Sequence, residues 1–178
     1  MIRALCFLIS NCKRATHLCQ CGYFGDPLHD CTCTPPLIQR YLARVSGPLL
    51  DRIDLHIQVP AVKYKELAQD EKSEESAIIR ERILSARLTQ CKRLESFGIY
   101  CNAQMTPRTL RRFCKLDSES ERQMENAITR LGLSARAYDR ILRVSRTMAD
   151  LEQGDKILAR HVAEAIQYRT LDRTYWQQ

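Results

Sequence analysis

Two periodicities divide the chain. Apolar Ile53, Leu55, Ile57 and Val59 alternate with Asp54, His56 and Gln58, a repeat of two that predicts a strand with one buried face, ended by Pro60. His56 then points outward as an ordinary polar residue. From Glu74 the repeat becomes helical. A long amphipathic segment runs to Leu94 with Ile83, Leu84, Leu88 and Cys91 as its apolar stripe. Thr106 followed by Pro107 reads as an N-cap with proline at the first helical position, opening a short helix to Cys114. Ser118 and Glu121 have capping-box spacing for a helix to Leu131, stopped by Gly132. Ser134 caps a helix from Ala135 to Leu151, with Tyr138, Ile141, Leu142, Ser145, Met148 and Ala149 inward and Gly154 ending it. A last helix from Leu158 to Arg169 carries Val162, Ala165 and Ile166, and the tail around Trp176 reads as loose.

The first half is shorter-ranged. Pro35-Pro36 opens a helix through Val45 with Ile38, Tyr41, Leu42 and Val45 on one side, and Ser46-Gly47-Pro48 breaks it into the short turn Leu49 to Arg52. The opening MIRALCFLIS reads as a buried strand. Its apolar run from Ala4 to Ile9 is shorter than a signal-peptide core and is followed by Lys13 and Arg14 without a small-residue cleavage site. The polar run Gln69 to Ser76 marks a linker. The expected organisation is a divergent segment 1–18, a segment with strand and helix 19–68, a linker 69–76, a helical domain 77–173 and a tail 174–178. That is an α+β fold, mainly helical, in which a helical bundle follows an α/β segment as a lid does.

Composition narrows the classes. With 178 residues, 44% hydrophobic and 28% charged, the chain can build a core and is not disordered. No apolar run is long enough to span a bilayer, and the thiols are spaced for metal, so the chain reads as cytoplasmic and reduced, with no membrane partner. Net charge is +7 and the pI near 9.0, which favours polyanions. The excess is concentrated between Gln104 and Arg146, where ten Lys and Arg face five acids. A solvated helical face, nucleotide phosphates and nucleic acid all account for such a run.

The densest chemistry is Cys19-Gln20-Cys21 and Cys31-Thr32-Cys33. In extended backbone residues i and i+2 share a side, so each pair presents two sulfurs together. Gly22, Gly25 and Asp26-Pro27 supply the turn that brings the pairs face to face. Four thiolates suit Zn²⁺. A reduced, metal-free knuckle is the plain alternative and disulfides a third, disfavoured because nine cysteines is odd. Cys91, Cys101 and Cys114 lie in helical sequence, where small buried thiols are common. His17 and His29 flank the cluster as substitute ligands and are not preferred.

Three stretches carry a resemblance: CQCGYFGDPLHDCTCTPPLIQRYLARVSGPLLDRIDLHIQV, MTPRTLRRFCKLD and LSARAYDRILRVSRTMADLEQGDKILARHVAEAIQYR. In order, over Cys19 to Arg173, they resemble the C-terminal part of the bacterial magnesium-chelatase-like AAA+ proteins of the YifB/ComM family. The resemblance implies the C-terminal part of an AAA+ α/β core with a zinc-knuckle-like insert, followed by the helical lid. It implies a ring-forming ATPase, associated in that family with DNA branch migration in transformation and recombination. Ring subunits or a Walker-containing partner, and DNA as a candidate, are the implied partners; ATP and Mg²⁺ are implied by the family but not held by this chain alone.

Within that resemblance the turn Gly47 to Arg52 corresponds to the element presenting an arginine finger, so Arg52 would reach ATP held by a neighbouring subunit. A guanidinium is always charged and offers a planar fork of donors to a phosphoryl group. A surface salt bridge to Asp51 or Asp54 is the alternative. Leu133-Ser134-Ala135-Arg136 resembles the sensor-2 entry of the lid, which assigns nucleotide sensing to Arg136 first and to Arg140 with it; Arg140 and Arg143 are the nearest competitors for the role, and helix solubility is the alternative for all three. Tyr138 is read as core rather than as a base-stacking platform.

The departures are equally specific. No G-x-x-x-x-G-K-[ST] motif occurs, nor an apolar strand ending in paired acids for magnesium. His17 stands where the family places its sensor-1 asparagine, and Leu18 where proline is usual. The expectation is a frame beginning inside a longer ancestral gene, or a frame change upstream. Two functions then compete: the sensor and lid portion of a DNA-remodelling AAA+ ATPase, and a non-catalytic zinc-bearing helical module that binds nucleic acid or a partner ATPase. An inactive gene remnant is the third.

Overall fold

The computed structural model describes residues 17–26, 28–50, 52–57, 59 and 74–176, which fall into two compact units dividing between Arg44 and Val45. The strand expected over residues 1–10 and the linker residues 69–73 lie outside the described residues. In the first unit, helix α1 (Pro35–Leu42) starts as predicted. Thr34 is extended and the prolines occupy first-turn positions, where no amide hydrogen is needed. It stops before Val45 because the amides of Ala43 and Arg44 bond back to Gln39 and Tyr41, tightening the last turn.

The second unit opens with the short helix α2 (Gly47–Leu50), whose Leu50 is buried. The strand predicted for Ile53–Val59 is not formed among the described residues. Alternation alone does not make a strand; the backbone needs a neighbouring strand to take its amides and carbonyls. Here the His56 amide instead donates to the Tyr168 carbonyl at 3.0 Å. Leu55, Ile57 and Val59 are correspondingly exposed, and His56, expected to point outward, is half-buried.

Helices α3 (Ser76–Leu94), α4 (Pro107–Phe113), α5 (Ser118–Leu131), α6 (Ala135–Leu151) and α7 (Ala159–Trp176) follow, with 3₁₀ turns at Glu95–Phe97 and Asn102–Gln104. Local caps set most of the boundaries. The Thr106 and Ser134 side chains accept the amides of Thr109 and Ala137, and Gly132 ends α5 at a left-handed φ of 52°. Helix α5 is capped by Asp117 rather than by Ser118: its carboxylate accepts the Ser120 amide at 2.8 Å, leaving Glu119 and Glu121 in the first turn, where the helix dipole favours acids. At the end of α6 the left-handed residue is Gln153 (φ 58°), and the Gly154 amide donates to the Ala149 carbonyl at 2.7 Å. Helix α7 runs to Trp176, beyond the predicted end.

The core lies among α3 to α7. Leu94, Met105, Leu110, Cys114, Met124, Ile141, Leu142, Ile157, Val162 and Ala165 are buried together. Most of the inward stripe predicted for α6 is present, but Tyr138 is exposed, on the rim of an open groove beside Met124 and Ile128. Burial pushes the Cys114 thiol up to about 11, so this cysteine packs as a small apolar group. Helix α3 turns in a face other than the predicted one. Ile83, Leu84 and Leu88 are exposed, whereas Ala86, Gln90 and Leu94 are buried.

The reason for the choice of face is polar. Asp150, fully buried on α6, accepts a fork from Arg93 of α3 at 2.7 and 2.6 Å, a bond from Asn102 at 2.8 Å and another from Arg146 at 3.0 Å. Arg146 also donates to the Asp155 and Gly154 carbonyls. Burial alone would raise the Asp150 pKa, but the bonds from Arg93 and Asn102 and the charges of Arg146 and Arg93 bring it below the ordinary carboxylate value. A second cluster caps α7. His161 Nδ1 accepts the Leu158 amide at 3.1 Å, which leaves the proton on Nε2, the nitrogen 3.0 Å from Glu152. Hydrogen bonds from Arg160 and His161 lower the Glu152 carboxyl to about 2.

Candidate metal centre and arginine site

The knuckle is built by backbone geometry. Gly22 and Gly25 take φ of +88° and +81°, which side-chain-bearing residues rarely adopt, and these turns reverse the chain between the two cysteine pairs. The four sulfurs lie within 4.8 Å of one another, with Cys19 to Cys21 at 3.3 Å, Cys21 to Cys31 at 3.5 Å and Cys19 to Cys31 at 3.8 Å. Zinc–sulfur bonds of about 2.3 Å in a tetrahedron require sulfur pairs about 3.8 Å apart. The sulfurs therefore fit one tetrahedral ion with little movement.

Cys19 is buried and its sulfur accepts the Phe24 amide at 3.3 Å, the kind of outer contact that orients a ligand and stabilises a thiolate. A backbone hydrogen bond from Tyr23 and bonds from the neighbouring thiols lower Cys21 to about 6. For Cys31 a backbone bond at Cys33 acts downward, but desolvation and the adjacent Cys21 and Cys19 outweigh it and push the thiol up to about 12. Negative charge is thus already favoured at one sulfur and resisted at the next, a conflict that a dication resolves. Among the described residues these four form the one group of metal-ligating side chains close enough to share an ion, and all seven described cysteines are free thiols. His29 lies outside it, paired with Asp26 at 3.5 Å and stacked on Tyr23 at 4.8 Å. His17 packs over Gly22.

The arginines fall into two sets. Arg143 is half-buried and donates to the Met105 carbonyl at 3.0 Å, Arg146 is buried in the Asp150 network, and Arg140 forms an ion pair with Asp54. Arg52 and Arg136 are exposed. Arg52 donates to the Pro48 carbonyl at 3.2 Å within its own turn. Its expected alternative partner Asp54 is taken by Arg140, and Asp51 lies outside the described residues. Arg136 stands in the first turn of α6, without an ion-pair partner among the described residues.

One residue beside this site is marked by the sequence only as the end of the last helix. Arg169 is 1% exposed and donates to the Ile53 carbonyl, next to Arg52. Its signal was legible: it follows Val162, Ala165 and Ile166 at helical spacing, on the inward stripe of α7.

Comparison with known proteins now decides the family. The model described as magnesium chelatase, subunit ChlI C-terminal, matches residues 73–169, and that described as magnesium chelatase, subunit ChlI, matches residues 8–67. The chain belongs to the magnesium-chelatase-like family. The second match reaches further toward the N terminus than Cys19, where the motif resemblance begins. Within the family the chain is 42% identical over 142 residues to the uncharacterized protein YifB of Escherichia coli, covering 79% of this chain and 27% of that protein. It is 43% identical over 141 residues to the competence protein ComM of Haemophilus influenzae, with 79% and 27% covered. An uncharacterized protein of Mycobacterium bovis is 33% identical over 155 residues, with 87% and 30% covered. The chain spans less than a third of the length of these relatives. Its helices α3 to α7 are the C-terminal helical lid of a magnesium-chelatase-like AAA+ protein. No helix among the described residues is long and apolar enough to cross a membrane.

Proposed function

We propose that this chain is the sensor and lid portion of a ring-forming ATPase that remodels DNA, and that it acts with subunits that supply the phosphate-binding loop. DNA as the polymer follows from the family resemblance, within which one relative is named a competence protein. The observation that carries the reading is the sorting of arginines along α6. Arg140, Arg143 and Arg146 are engaged within the fold, whereas Arg136 places an exposed cation at the positive end of the helix. That arrangement is electrostatically unfavourable alone and favourable once an anion such as a nucleotide phosphate arrives.

In this reading Arg136 contacts the nucleotide across the lid, and Arg52 reaches the triphosphate held by the neighbouring subunit. Cys19, Cys21, Cys31 and Cys33 hold Zn²⁺ in a closed four-sulfur site, which supplies a structural clasp for the knuckle. Metal analysis of the purified, reduced chain gives about one zinc per chain by the four-thiolate rule, lost in the Cys19→Ser/Cys31→Ser variant. Metal-free material of normal stability would remove zinc from the account. The function itself is tested by adding the chain to a P-loop-bearing partner and measuring ATP turnover. Arg136→Ala raises the KM for ATP about ten- to hundredfold, the equivalent of one hydrogen bond to a charged group. An unchanged KM would overturn the sensing role.

A further inference from the structure

Burying a guanidinium costs several kcal/mol unless its donors are met. Arg169, on the inward face of α7, directs Nη1 at the carbonyl of Ile53, in a segment that belongs to none of the lid helices. One residue earlier, the Tyr168 carbonyl accepts the His56 amide at 3.0 Å. From α6, Arg140 pairs with Asp54. Residues 53, 54 and 56 are each held by a lid helix, Leu50 before the turn is buried, and Arg52, between them in sequence, is exposed.

We propose that the lid carries the Arg52 turn, with Arg169 and Arg140 as its positioning residues. Three contacts from α6 and α7 hold this segment, so a displacement of these helices displaces the turn with them. Arg136 and Arg140 stand four residues apart on α6, about 6 Å along one helical face. Engagement of a phosphate by Arg136 therefore shifts the helix face that holds Asp54, and Arg52 lies two residues from Asp54. Nucleotide state at one subunit would set the reach of its arginine toward the next. The proposal rests on the reading of Arg52 as the trans-acting arginine.

The test separates the brace from that reading. Arg169→Ala removes a buried side chain and puts the fold itself at risk, whereas Arg140 and Asp54 form a partly exposed pair that contributes little to stability. Hydrogen exchange at the His56 amide, read in the full 178-residue chain alone, reports the brace without ATP. Protection is expected in the wild type, loss of about tenfold in Arg140→Asp, where two carboxylates face each other, and recovery in Arg140→Asp/Asp54→Arg. In the ring assembled with a P-loop partner, kcat falls about ten- to hundredfold in the single variant with ATP KM unchanged, and returns in the exchange variant. A direct Arg140 contact to nucleotide would not be restored by the exchange, so failure of rescue overturns the proposal. A His56 amide that exchanges freely in the wild type overturns it as well. So does a broken brace with undiminished turnover. Failure of the underlying reading shows separately, as an Arg52→Ala ring that hydrolyses ATP at the full rate while the His56 amide stays protected.

Discussion

Arg52→Ala in a ring assembled from this chain and a P-loop-bearing partner lowers ATP turnover by roughly 10³- to 10⁵-fold and leaves ATP affinity near that of the wild type. The magnitude follows from what a guanidinium does at a transferring phosphoryl group. Charge accumulates on the equatorial oxygens in the transition state, and a donor aimed there is worth far more than it is in the ground state. Arg52 is suited to it by position. It is exposed, among the described residues its side chain bonds only the Pro48 carbonyl of its own turn, and Asp54, one of the two acids that could neutralise it, is engaged by Arg140. Arg52→Lys keeps the charge but loses the planar fork, and recovers only a small part of the rate. Equal losses of affinity and turnover would mean that Arg52 helps to hold ATP rather than to cleave it.

Asp150→Ala has the largest expected effect on the fold. The substitution strips the counter-ion from Arg146, whose side chain is 3% exposed, and from Arg93, and leaves Asn102 without one acceptor. Removing one partner of a buried ion pair costs about 3–5 kcal/mol, a large share of the roughly 5–15 kcal/mol that holds a domain together. The melting temperature falls by roughly 6–20 °C. Asp155→Ala is the matched control, since Arg146 uses only its carbonyl, and it stays within about 0.5 kcal/mol of the wild type. The same network gives an acid dependence. The folded Asp150 pKa lies below its ordinary value of 3.8, so the stabilisation is complete above that pH and is lost as pH falls through the folded value. Urea midpoints that are equal for Asp150→Ala and the wild type would contradict the network's role.

Much of the helical architecture is readable in the sequence because caps are local. Thr106, Ser134 and Gly132 each need only the next turn of backbone to act, and each acts as predicted. The sulfur cluster is legible for the same reason: alternate residues of extended backbone share a side, and Gly22 and Gly25 make the turn. What depends on distant partners is not legible. The alternation of Ile53 to Val59 carries the chemistry of a strand, but forming one requires a neighbour that the described residues do not provide. The inward face of α3 is set by a carboxylate on α6, far along the chain, so Gln90 lies inward while Leu84 and Leu88 face solvent. Arg146, Asp150 and Arg169 read as surface charges if residue type alone is weighed. Arg146 and Asp150 sit at i, i+4 beside the predicted inward stripe of α6, and Arg169 continues that of α7; position, rather than polarity, was the informative signal.

In the proposed function this polypeptide lends arginines and a lid to an ATPase and does not grip the triphosphate by itself. Calorimetric titration of Mg·ATP into the purified, zinc-loaded chain tests it most directly. No stoichiometric binding is expected, and one-to-one capture of ATP by the chain alone would overturn the proposed function.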